Sequence, residues 1–451
     1  MVFTTSRYIK SGYVTTVSEE LRYEGKWWIT NIGESVSGTL SITPKGIWLS
    51  LNESFDNTTK MPDELSSYDI ILGIQYQGYK FTLKGCEEIR NQSGSIYNTQ
   101  VFYVETVYGG THAEDISDLK FKVYGIRYTY LSDWLRNPGF RVPKKRDDGY
   151  HIEYKNFIEI KSDFQNASIE IKSSVSWGHQ NGGYNVQLKI SDIVKVRCQS
   201  PMSIKDVNLE VLDPIQDFII LATTRPSSIT SLSAKRSDSE NEDDVTVFTQ
   251  TPYPTQERVS LFNRGIVLFY AKDISDKPKY YLEKWFELEK DMRDIFKIFV
   301  DVHYDPELLI SNKFLNITQA LEAYNRIRYG DAPTRKQKSK KKTFKDRIQE
   351  LVEKTYSLID ALIPDSERFS DWVKDTRNYL VHRDKADKKH LAEEENLELL
   401  FYTLLWLLRV SCLIEIGFSN EQCTALLSRN NGFRDICKAA QLKAPWIQRA
   451  N

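Results

Sequence analysis

The sequence has little of what builds secreted or metal-stapled folds. Its five cysteines, Cys86, Cys198, Cys412, Cys423 and Cys437, are scattered over 451 residues without a C-x-x-C pair. An odd, dispersed set supports neither a disulfide framework nor a structural zinc site, and suits reduced thiols in a cytoplasm. An excess of one charge is also lacking, since 61 Lys and Arg stand against 62 Asp and Glu, a net of -1. No whole-chain field draws the molecule to nucleic acid or anionic lipid, so any such contact has to come from a local patch. The opening MVFTTSRYIKSGYV lacks the apolar core of a secretory signal.

Long hydrophobic runs are nearly absent. The exception, LLFYTLLWLLRVSCLIEIG from Leu399 to Gly417, approaches the length of a membrane span but carries Arg409 and Glu415. Both would be expensive in lipid, so the run reads as a helix buried at the centre of a bundle, and no membrane association is expected. The chain also lacks a G-x-x-x-x-G-K-[ST] phosphate loop, a G-x-G-x-x-G fingerprint, an H-E-x-x-H helix and a G-x-S-x-G elbow. Nucleotide-driven and zinc-hydrolase chemistry therefore have no support, and neither cofactor nor metal is expected. The HLAEE sequence at 390–394 puts His390 near carboxylates at the wrong spacing for a zincin, and reads as a solvated helix start.

What is present divides into two texts. Up to about residue 270 short β-branched and aromatic runs dominate, among them SGTLSIT, GIWLSL, YKFTLKG, TQVFYVETVY and LKFKVYGIRYTYL, punctuated by Gly, Asn and Pro. Many short strands with turn signals predict a sandwich or barrel-like fold. A second series, FIEIKS, ASIEIKSSVSW, YNVQLKI and VTVF, is expected to form a second β layer or subdomain. The polar stretch at 136–149 reads as the joint between the two, and residues 233–244 as an exposed loop.

Near Lys279 the apolar period changes from about 2 to about 3.6, and helix replaces strand. Five helices are predicted, from YYLEKWFELEKDMRDIFKIFVDV, FLNITQALEAYNRIRYG, FKDRIQELVEKTYSLIDALI, RFSDWVKDTRNYLVH and the run beginning at Leu399. Pro306, Pro333 and Pro364 fall between them, as helix stops should. The expected fold class is therefore multidomain α+β, with a β-rich region over 1–275, two subdomains splitting near 136–150, and an all-α region over 280–451.

One constellation on these helices carries chemistry. Arg377-Asn378-Tyr379-Leu380-Val381-His382 is an R-N-x-x-x-H run on an amphipathic helix. Asn378 and His382 lie about 40° apart around the helix, on one face, and the long side chain of Arg377 can swing toward them. A group that titrates near neutral pH, a permanent cation and an amide together suit phosphodiester cleavage without metal. An Arg and a His at this spacing also arise by chance as ordinary surface residues, so spacing alone decides little.

The run TRNYLVHRD resembles the R-x4-6-H signature of the HEPN superfamily, including the Asn after the Arg. FLNITQALEAYNR, from Phe314 to Arg326, and Phe344, Arg347, Ile348 and Leu351 resemble the helices that precede the motif in ApeA-like HEPN proteins. At the other end, Trp27 to Phe55 looks like the ApeA N-terminal domain, with Gly38, Thr39 and Leu40 as its turn and strand, and FTLKGC and YTYLSDWL fit it as well. The resemblance implies an all-α HEPN bundle acting as a metal-independent endoribonuclease, with RNA, tRNA included, as substrate. Arg377 and His382 would act on the scissile phosphate and Asn378 would position it. It further implies a homodimer or higher homo-oligomer and a role in abortive-infection defence, with the β-rich region sensing a phage-derived trigger or restraining the nuclease. The alternative is a non-catalytic HEPN dimerisation or regulatory protein. Beside the motif, Arg335, Lys336, Lys338, Lys340, Lys341 and Lys342 form a basic run between two helices. It reads equally as a grip on RNA phosphates or as a solvated linker.

Overall fold

A computed structural model describes residues 14–15, 20–29, 32–55, 65–93, 98–110, 119–135, 144–146, 149–151, 158–164, 166–180, 185–237, 244–251, 266–304, 308–332, 341–382 and 390–447. The chain forms two compact units, Met1–Gln216 with Ser227–Val259, and Asp217–Pro226 with Ser260–Asn451.

The first unit is built on strands. They run β1 (Val14–Thr15), β2 (Leu21–Ile29), β3 (Ile32–Thr43), β4 (Gly46–Leu51), β5 (Ser67–Gln75), β6 (Lys80–Ser93), β7 (Asn98–Gly110) and β8 (Lys120–Tyr128), followed by the short helix α1 (Leu131–Leu135). After it come β9 (Lys144–Arg146), β10 (Gly149–His151), β11 (Ile160–Asp163), β12 (Ala167–Gln180), β13 (Asn185–Ser203), the helix α2 (Ile204–Val207), the first residues of α3 (Asp213–Thr223), whose remainder from Asp217 belongs to the second unit, and then β14 (Ile229–Lys235) and β15 (Val245–Thr251). Antiparallel pairing in the order β7-β4-β3-β2-β5-β6, with β6 returning to β7, closes six strands into a barrel. Of the two folds the strand pattern allowed, the barrel is the one formed.

The second strand series is not a separate layer. The strand β7 gives Gln100–Tyr103 to β4 and Thr106–Gly109 to β15, so one long strand belongs both to the barrel and to the extension β15-β14-β8-β13-β12-β11. The predicted joint at 136–149 holds only the β9–β10 hairpin among its described residues, and 136–143 lie outside them. Of the predicted loop at 233–244, residues 233–235 pair in β14, and 238–243 lie outside the described residues. Gly38, Thr39 and Leu40, expected as a turn and strand, all lie in strand, inside β3 opposite Leu51, Ser50 and Leu49.

Helix at 204–223 replaces the strand-like reading of this region. Ser203 caps it by accepting a hydrogen bond from the Asp206 amide, and Ile204, Val207, Val211, Leu212 and Ile215 recur at intervals of three and four and are buried. An apolar density that resembles strand text here carries helical spacing.

Alternation decides which side chains fill the barrel. In β4 Ile47, Leu49 and Leu51 point inward, and they meet Leu40, Phe81 and Phe102 from neighbouring strands. Trp27 is fully buried there, its indole donating to the Gly38 carbonyl at 3.1 Å. Its ring lies over Gly73, where an added Cβ would come within 2.1 Å of it, so only glycine fits that strand position. Two buried polar groups are mutually satisfied. The Gln100 amide donates to Glu88 at 3.1 Å and accepts from the Phe55 amide at 3.1 Å.

The second unit contains α4 (Pro278–Tyr304), α5 (Ile310–Tyr329), α6 (Phe344–Ile359), α7 (Ser366–His382), α8 (Glu394–Glu415), α9 (Asn420–Arg429) and α10 (Asn431–Lys443). The five predicted helices are α4 to α8. The pair α9 and α10 was not foreseen, although Ser419 and Asn430 cap them through hydroxyl and amide oxygens. Pro278 opens α4 and Pro364 separates α6 from α7, whereas Pro306 and Pro333 lie outside the described residues.

Helix α8 is the one helix among the described residues long and apolar enough to cross a membrane, and most of it is buried inside this unit. It ends in a Schellman motif. Gly417, at φ 103°, lets the Phe418 amide reach the Leu413 carbonyl at 3.1 Å and its own amide reach Ile414 at 3.0 Å. Arg409 is buried with its guanidinium 4.7 Å from the Trp406 ring. Burial pulls it down to about 9, which leaves it charged at neutral pH.

Truncating Trp27 to Ala removes the largest inward side chain and strands its volume as a cavity. The expected loss is about 3–5 kcal/mol in a denaturant titration of the barrel unit, and a loss under 1 kcal/mol contradicts the packing described.

Candidate active site

The motif helix α7 is placed by its apolar face. Asp365 caps it, its carboxylate accepting from the Arg368 amide at 3.0 Å, and Phe369, Ser370, Val373 and Thr376 are buried. Phe369 packs edge-on against Trp446 with ring centroids 5.6 Å apart. With that face committed, Asn378, Val381 and His382 are left exposed at the carboxyl-terminal end.

Arg377 occupies the edge between the two faces. Its guanidinium lies 4.5 Å from the centroid of the Phe344 ring and 3.4 Å from Glu322 on α5. Glu322 holds Arg326, one helical turn on, at 3.3 Å with its other carboxylate oxygen. The cation is thus aimed by a ring at the start of α6 and an acid on α5, both drawn from the helices whose sequence resembles the family. The structure brings Asn378 and His382 to one exposed stripe. It does not bring Arg377 to them, for among the described residues no hydrogen bond joins Arg377 to His382, and five positions along a helix separate their directions by about 140°.

Two contributors escaped the sequence reading. The Leu321-Glu322-x-x-x-Arg326 pattern was visible, but nothing in it pointed to Arg377. His390, expected at a solvated helix start, instead packs against α7. Its Nδ1 lies 3.2 Å from Asp375 Oδ2 and its ring is 5.5 Å from that of Trp372, edge to face. The His390 carbonyl and the Ala392 amide both bond to the Thr376 hydroxyl, which holds this segment on the helix. Of the remaining histidines, His112 is not among the described residues, and only the backbone of His151, His179 and His303 is.

The basic run separates into parts. Arg335, Lys336, Lys338 and Lys340 lie outside the described residues. Lys341 is exposed. Lys342 is buried, its ammonium 2.7 Å from Glu350 and 3.2 Å from the Tyr329 carbonyl. It belongs to a polar network that ties α5 to α6. Asn325 donates to Glu350 at 2.9 Å and to the Arg347 carbonyl at 3.3 Å, and the Arg347 guanidinium bonds Asn325, the Gly330 carbonyl and Asp331. The Arg347 pairing holds the Asp331 carboxyl below its ordinary range. Along α7, burial would raise Asp371, but hydrogen bonding and charge from Lys345 and Lys374 outweigh it and lower this carboxyl.

The helical unit is of the HEPN class, for residues 315–422 match the family model described as Apea-like HEPN. Residues 22–285, more than half of the chain, match the ApeA N-terminal domain 1, and the chain belongs to the ApeA-like HEPN proteins. No curated protein and no solved structure matches it. At family level this is an HEPN-type nuclease of anti-phage defence.

Because Lys342 is an internal partner of Glu350, Lys342→Ala should cost the helical unit about 3 kcal/mol, as breaking a buried ion pair does. Lys341→Ala should change stability by less than about 0.5 kcal/mol. Equal effects in urea titrations of the two variants contradict the placement.

Proposed function

We propose that this protein is an endoribonuclease that cleaves RNA without metal through Arg377, Asn378 and His382. The observation that carries the proposal is the aiming of Arg377 by Phe344 and Glu322 on the same helix end that leaves Asn378 and His382 exposed. Asn378 and His382 are open to a phosphodiester without unfolding the bundle, and Arg377, at the edge of that stripe, has a side chain long enough to swing toward it. In the reaction the 2′-hydroxyl attacks the adjacent phosphorus, the P–O5′ bond breaks, and the products are a 2′,3′-cyclic phosphate and a 5′-hydroxyl. His382 moves a proton, Arg377 pairs with the charge that builds on the phosphoryl oxygens, and Asn378 fixes the phosphate by hydrogen bonding. The chemistry needs the 2′-hydroxyl of the substrate, and deoxyribonucleic acid should survive.

The assembly proposed is a two-fold pair with the motif helices apposed, since one helix end offers few groups to surround a phosphate and symmetry doubles them. Val381, half exposed beside His382, supplies apolar surface for that contact. The barrel unit would restrain the nuclease or sense a phage-derived trigger, because an unrestrained ribonuclease in the cytoplasm harms its own cell. Arg335, Lys336, Lys338 and Lys340, with the exposed Lys341, would hold RNA phosphates in a salt-sensitive manner.

Purified protein should cut RNA in the presence of EDTA. His382→Ala should lower the rate by about 10²–10⁴-fold, the usual worth of a general acid or base, and Arg377→Ala by at least about 10²-fold, with helical circular dichroism unchanged. Full activity in either folded variant, or a requirement for magnesium, overturns the assignment. Glu322→Gln removes the charge that aims Arg377, and should reduce the maximal rate by about 10-fold with little change in KM.

A further inference from the structure

The loop-to-helix segment at the start of α8 holds a second histidine against the motif helix. Asp375 accepts from His390 Nδ1 with Oδ2, and its other oxygen, Oδ1, takes Lys374 at 3.1 Å. The side chains of His390 and Asp375 are each about a quarter exposed, 29% and 24%. An ionised carboxylate only accepts, so the hydrogen bond assigns the proton of a neutral His390 to Nδ1 and leaves Nε2 as the basic nitrogen. Among the described residues no hydrogen-bonding group meets His390 Nε2.

Position along α7 gives this pair its meaning. Asp375, Asn378 and His382 stand three and seven residues apart, which puts them within about 60° of one another on one face and spreads them over roughly 10 Å of helix. Helical side chains all lean toward the amino-terminal turn, so Asp375 and His382 keep that separation. Asn378 lies between the two ends. The stripe therefore carries an imidazole at each end and a phosphate-binding amide in the middle.

Cleavage by 2′-oxygen attack needs two proton transfers, one from the nucleophile and one to the leaving O5′. We infer that His390, oriented by Asp375, is the second proton-transfer group of the site and takes the 2′-hydroxyl proton, while His382 protonates the leaving 5′-oxygen. This rests on the ribonuclease reading above. Atoms balance: His390 Nε2 gains the 2′-proton as the 2′-oxygen bonds to phosphorus, and the imidazolium of His382 gives its proton to O5′ as the P–O5′ bond breaks. Each protomer then holds both groups. The charges that face His390 are Asp375 and, through it, Lys374, which Asp371 also holds at 3.4 Å, with Lys345 behind at 2.8 Å from Asp371.

The test is the pH–rate profile of RNA cleavage by the full chain, measured for wild type, His390→Asn, Asp375→Asn and His382→Ala. Asparagine at 390 keeps a donor for Asp375 and cannot titrate. The expected result is a fall of about 10²-fold in kcat for His390→Asn, with the acid limb of the profile flattened, because the base no longer has a proton to lose. Asp375→Asn should lose about 10-fold or more through the wrong tautomer, and the melting temperature of His390→Asn should stay near that of wild type. In wild type, the His390 ring resonances should shift when a 2′-O-methyl oligoribonucleotide, which cannot be cleaved, is added. A wild-type acid limb and rate in His390→Asn, alongside an inactive His382→Ala, overturns this inference and leaves the nuclease reading standing. A destabilised His390→Asn with lower activity but an unchanged profile also overturns it, since it assigns His390 a packing role alone. Failure of wild type to cut RNA removes both readings together.

Discussion

The helical unit depends on one element that water rejects on nearly every side. From Leu399 to Leu413 the helix α8 buries Leu400, Leu404, Leu405, Leu407 and Leu408 together with Phe401 and Trp406. Each fully buried large side chain contributes about 1.5–3 kcal/mol, so no arrangement that leaves this helix at a surface competes. The helices α4, α5, α6, α9 and α10 all pack against it. The motif helix α7 packs on α5 and α6, one layer further out. A helix in that position needs only one apolar face, and the other is available for Asn378 and His382.

The same layering explains how Arg377 is held. A cation on the rim of α7 faces α5 and α6, and there it finds Glu322 and the Phe344 ring. The spacing of α5 and α6 is in turn fixed by the buried network of Asn325, Arg347, Glu350 and Lys342, whose charges are all answered. Removing one member leaves another unpaired in a low-dielectric interior, which is why such networks hold a single register. Residues away from α7 thereby set the direction of the Arg377 guanidinium.

Much of this was legible in the sequence, and the gaps have physical reasons. The period change near Lys279, the five helices α4 to α8 and the buried character of α8 follow from apolar spacing alone. The closure of the barrel does not, since β7 pairs with β4, β6 and β15 at once, and a strand's partners are set by register rather than by composition. Helix at 204–223 was hidden because Ile, Val and Leu at helical spacing resemble a run of short strands. Within the site, Arg377, Asn378 and His382 could be named from one helix because their spacing is local. Glu322 and His390 could not, as each meets α7 only through tertiary packing, 55 and 15 residues away in the chain from its partner.

Whether Arg377 and His382 make this chain a ribonuclease, as proposed, is decided by sequencing RNA ends from cells expressing wild type or His382→Ala. New 5′-hydroxyl ends, at defined positions, should appear in the cells with wild type once the nuclease is active, and none above background with His382→Ala. The same ends at the same abundance with a folded His382→Ala protein would contradict it.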